Sequence, residues 1–157
     1  MIWAWRIWRF FLGLVFISAG WSKVGEPLAL LADIYAYQIP LPDRFAEILS
    51  VALPWFEIAL GATLALGIFP RVTTSAAIGL MSIYTLLTAQ AWWRGLPIDC
   101  GCMDLSGIHP ALAILSTPAG AALRNLFLLL VTAAFAVTLF PKKRPINHAA
   151  IQALHRN

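Results

Sequence analysis

Four stretches of the chain are apolar at nearly every position and long enough to cross a bilayer, which takes about 20 residues. They run roughly from Ile7 to Val24, Phe45 to Phe69, Arg71 to Trp93 and Pro118 to Phe140. Charges inside them are few: Arg9 stands at the entrance of the first and Lys23 closes it, Glu47 and Glu57 fall in the second and Arg124 in the fourth, while the third is uncharged from Val72 onward. The punctuation suits helices. Asp43 is placed to cap the second span and Glu47 falls in its first turn. Pro70 separates the second from the third. Thr117-Pro118 reads as an N-cap followed by proline at the first helical position, and Pro141 closes the fourth. Between the first two spans, Pro27, Leu28, Leu31, Ile34 and Tyr35 recur at helical spacing, which predicts a short helix lying in the interface. The longest connection is 94–117; within it Ile108 to Leu115 is too short to cross and is interrupted by Pro110, so it lies on or dips into the surface. Residues 1–141 are expected to form one four-span membrane domain, and 142–157 a basic tail with helical character from Ala149 to Leu154.

Composition narrows the class. Of the 157 residues, 61% are hydrophobic and 11% charged, against about 25% charged in a soluble domain. So small a body has too much surface to cover with so few charges, and disorder would need the opposite balance. Two cysteines are too few for a disulfide-stapled scaffold. The expected fold is therefore all-α, an integral membrane four-helix bundle with a cysteine-bearing extracytoplasmic loop. The net charge of +4 does not point to nucleic acid, because basic residues sit singly or at span ends apart from Lys142-Lys143-Arg144. With four spans both termini share a side. That side carries Arg6, Arg9, Arg71, Lys142, Lys143, Arg144 and Arg156, and the other carries Lys23, Arg44, Arg94 and Arg124. The positive-inside rule puts both termini in the cytoplasm and the cysteine loop outside; the expected location is the bacterial inner membrane. Trp3, Trp5 and Trp8 are expected in the inner aromatic belt, and Trp21, Trp92 and Trp93 in the outer one. Arg6, Arg9 and the run from Phe10 to Ala19 also resemble a signal peptide, but the apolar run continues through Trp21 to Val24.

Both cysteines fall in the outer loop, as Asp99-Cys100-Gly101-Cys102. In an oxidising compartment residues i and i+2 can bridge only across a bent backbone, which Gly101 permits. So small a ring gains little loop-closure entropy and is strained, and strained disulfides exchange readily. Three readings stand side by side. The pair is a redox dithiol exchanging with an extracytoplasmic partner; or it is a soft-metal site for Cu(I) or Zn(II), with Met103 and His109 adding ligands; or it is inert, within a scaffold or assembly subunit.

Reactive thiols need nearby cations. Lys23, Arg94 and Arg124 lie at span ends that can approach the pair, where they also serve as topological anchors. Asp99 raises the thiol pKa of its neighbour but can carry away a proton. Glu57 is an ionisable group about three to four turns into a span, a functional hypothesis by default. It is expected to face the bundle interior, with Lys23 as its first partner and Arg124 as its second. The pair then acts either as a proton acceptor or as a structural ion pair. Pro54 is expected to kink its span and open room for a ligand. Gly61 and Gly67, with Ala59, Ala62 and Ala65, suggest a close-packed face.

Several segments together resemble the MauE (methylamine-utilisation) family, within the DoxX-like group of four-helix membrane proteins. They are Ser18-Ala19-Gly20-Trp21-Ser22-Lys23, Leu53-Pro54-Trp55-Phe56-Glu57 with Leu60-Gly61, Pro70-Arg71, and Arg94-Gly95-Leu96-Pro97-Ile98-Asp99-Cys100-Gly101-Cys102, followed by Arg124-Asn125. The resemblance covers nearly all of 10–140. It implies maturation of a periplasmic enzyme like methylamine dehydrogenase, beside a periplasmic thioredoxin-like protein or a disulfide-containing client. From the DoxX-like relatives it also implies contact with a quinone.

Overall fold

The computed structural model describes residues 2–96 and 117–139. Among the described residues every regular element is an α-helix: α1 (Ile2–Val24), α2 (Pro27–Ala36), α3 (Asp43–Leu66), α4 (Pro70–Trp93) and α5 (Pro118–Leu139). The fold is all-α, and four helices, α1, α3, α4 and α5, are long and apolar enough to cross a membrane. The cysteine loop expected to complete it, the tail after Pro141, and the segment from Ile108 to Leu115 lie outside the described residues.

The helix ends have local causes. α3 stops at Leu66, short of Phe69, because Gly67 turns left-handed (φ 77°) and its N–H donates to the carbonyls of Thr63 and Leu64. Ile68 N–H also donates to Thr63, at 3.0 Å. These bonds satisfy the orphan carbonyls of the last turn. At its other end the N-cap is Pro42 rather than Asp43, and no side chain caps it. Asp43 is turned to a different use: it accepts a bond from the Tyr35 hydroxyl at 3.2 Å, tying α2 to α3. Desolvation, followed by that bond and the nearby carboxylates Asp43 and Glu47, holds the Tyr35 phenol above its usual pKa. Thr117 caps α5 as expected, accepting from Gly120 N–H at 3.2 Å.

α1 lies along α3, and α4 along α5; the two pairs meet across longer side chains. Gly13 and Gly61 make the first pairing possible. A Cβ on Gly13 would stand 2.7 Å from the Gly61 carbonyl oxygen, and one on Gly61 2.6 Å from that of Gly13. Seven residues further along α1, Gly20 abuts Pro54 of α3, so the two helices run antiparallel. Pro54 is buried in that contact and α3 continues through it. The room expected beside Pro54 is thus filled by α1. The core is formed by Leu12, Phe16, Leu60, Leu64, Ala77, Leu80 and Met81.

The inner tryptophan belt is corrected. Trp5 is 6% exposed. It stands against Phe135 of α5, ring centroids 5.6 Å apart. Trp8 donates its Nε1–H to Thr132 Oγ1 at 3.1 Å. Because α1 begins at Ile2, these residues share a face with Leu12 and Phe16 at helical spacing and turn into the bundle. Trp3, Trp21, Trp92 and Trp93 are exposed.

Candidate functional site

Side chains on a helix lean toward its N-terminus. Lys23, one residue from the end of α1, therefore leans back into the bundle. Glu57 sits about 21 Å along α3, which runs the other way, and leans to meet it. Lys23 Nζ stands 3.2 Å from each carboxylate oxygen of Glu57. Glu57 is 0% exposed and Lys23 8%. Tyr84 of α4 donates its hydroxyl to Glu57 Oε1, and its ring centroid lies 5.3 Å from Lys23 Nζ. Three helices are thus joined at one carboxylate. Buried charges are tolerated in this way, each paired and each hydrogen-bonded.

Beside this cluster lies a cavity of about 50 Å³. Its polar lining is Glu57 and Tyr84 with Arg124 and Asn125 of α5, and the rest of the wall is apolar, including Leu12, Phe16, Met81 and Leu128. Arg124 Nη1 and Asn125 Nδ2 are buried with no hydrogen-bond partner.

Of the residues singled out in the sequence, Lys23, Glu57 and Arg124 gather at this point. Lys23 is the one that pairs with Glu57, and Arg124 faces the same space from the opposite helix. Arg94 lies elsewhere. It is exposed, and its Nη2 donates to Gln38 Oε1 at 2.6 Å, bringing the end of α4 to the turn after α2. Asp99, Cys100, Cys102, Met103 and His109 lie outside the described residues. Among the described residues, no group of three or more His, Cys, Asp or Glu is arranged to hold a metal ion. Sequence reasoning gave no role to Tyr84 or Asn125. The available signal was weak: a polar group within an apolar span, Tyr84 between Ser82 and Thr85 and Asn125 next to Arg124, on helices that must pack somewhere.

The family described as methylamine utilisation protein MauE matches residues 1–139. The chain belongs to the MauE family. Its match takes in all four long helices, the buried pair and the segment that carries the two cysteines. No curated protein and no solved structure matches the chain. Membership in the MauE family ties it to methylamine utilisation and to the membrane.

Proposed function

We propose that this MauE-family chain exchanges thiol and disulfide equivalents with a periplasmic partner, a thioredoxin-like protein or a disulfide-containing client, during maturation of a periplasmic enzyme of the methylamine dehydrogenase kind. Placement supports this reading. Both cysteines fall in the connection between α4 and α5. Arg94 opens that connection and is bonded to Gln38 in the turn after α2. Helices that pack side by side are ordinarily joined by a few residues, so a connection as long as 94–117 calls for a use.

In the exchange, one thiolate of the pair attacks the partner's disulfide. The partner's S–S bond breaks, a mixed disulfide forms and a partner thiolate leaves. The second cysteine then attacks the mixed bond, closing Cys100–Cys102 and releasing the reduced partner. Two electrons pass to the partner, and the two thiol protons follow through Asp99 and Glu57. Run backwards, the same steps oxidise the partner. Arg94, six residues before Cys100 in the chain, favours the thiolate. A second dithiol protein or a quinone of the bilayer resets the pair.

The redox state of the pair in cells tests the reading. Cells are quenched in acid and free thiols alkylated with a heavy maleimide, with and without prior reduction. A disulfide that turns over when reductant is added outside is expected. Single-cysteine variants should trap a mixed disulfide, and the Cys100→Ser/Cys102→Ser double variant none. Thiols that stay reduced throughout, or trapping undiminished in the double variant, would overturn it.

A further inference from the structure

The cavity holds an imbalance of charge that the buried pair does not resolve. Lys23 and Glu57 neutralise each other, and Tyr84 adds a neutral donor already engaged by the carboxylate. Arg124 remains, with Nη1 buried and unpartnered, and among the described residues it makes no ion pair. Asn125 Nδ2, on the next residue, is a second buried donor with no acceptor. Two donors and one uncompensated positive charge thus line one space with otherwise apolar walls. Arg124 as a whole is half-buried, but its Nη1 is closed off from solvent; water satisfies donors but leaves the charge, and a guanidinium half-buried among apolar side chains gains from a counter-ion.

Size limits the candidates. A water needs about 10–15 Å³ of cavity measured this way, and a benzene-sized guest about 150 Å³. At about 50 Å³ the space admits a few atoms, neither an aromatic ring nor a lipid headgroup. We infer that the cavity is a binding site for one small monovalent anion, of chloride or formate size, held by Arg124 and Asn125. The anion bridges the two helix pairs, since its ligands sit on α5 and the facing wall belongs to α1 and α3. This site stands apart from the thiol chemistry and does not depend on it.

Thermal unfolding of the full chain in a neutral, lipid-free detergent tests it, at constant sodium, with chloride, bromide or formate compared with gluconate. A saturable rise in Tm of about 3–6 °C is expected with the small anions. Equilibrium dialysis with radiolabelled chloride should find about one ion per chain. Arg124→Gln should abolish both effects. Asn125→Asp supplies a tethered carboxylate in place of the ion, so it should fold well in gluconate and lose its response to chloride. Equal Tm in chloride and gluconate, a chloride response retained by Asn125→Asp, or stabilisation by anionic lipid alone would each overturn the assignment.

Discussion

Lys23 and Glu57 are two charges held where charge is expensive, and their energetics are asymmetric. Removing one partner leaves the other buried and uncompensated, at a cost of about 3–5 kcal/mol, whereas replacing both by apolar groups of similar volume is often neutral. Glu57→Leu or Lys23→Met alone should therefore destabilise the protein by about that amount in denaturation assays, and the double substitution should recover most of it. Additive losses would mean that the two side chains are not coupled. Tyr84→Phe deletes one bond to a charged acceptor and should cost about 1.5–3 kcal/mol. The pairing was legible in the sequence because an acid within one span and a lysine at the end of its neighbour had few other ways to be satisfied. The third contributor was not legible, because nothing in an uncharged span says which of its few polar positions turns inward.

Where α1 crosses α3, backbone touches backbone, and the contact depends on what Gly13 and Gly61 lack. Gly61→Leu should force the helices apart at a cost of about 1–3 kcal/mol, read as a lowered Tm, while Gly79→Leu should cost little. Gly79 is the control because a Cβ there meets nothing within 4 Å. The stripe of small residues on α3 was visible in the sequence, but its mate at Gly13 was not, since a single glycine in an apolar run does not announce the helix it faces. Trp5 and Trp8 show a related ambiguity. Aromatic residues near a helix end suit an interfacial belt and a core equally well, and only the position at which the helix starts fixes which face they occupy.

The four spans were readable from length and hydropathy alone, because lipid forces the backbone into helices and leaves the sequence little choice. Their arrangement as two tight pairs was not, since apolar side chains serve equally well against lipid and against a neighbouring helix. The distribution of Lys and Arg predicts an orientation with both termini in the cytoplasm, and reporter fusions test it. Green fluorescent protein joined after Asn157 should fluoresce, and alkaline phosphatase joined there should stay inactive; the opposite result would invert the topology. Each tight pair is also continuous in sequence, α1 with α3 before Phe69 and α4 with α5 after it. This bears on how the chain enters the bilayer. A charge at the centre of a lone inserting helix costs about 2.5–3.5 kcal/mol. Lys23 and Glu57 belong to the same early hairpin, so they can leave the insertion machinery already bound to each other, before Tyr84 has been synthesised. The ion pair is then a passport for two charges through the membrane as well as a joint in the finished bundle.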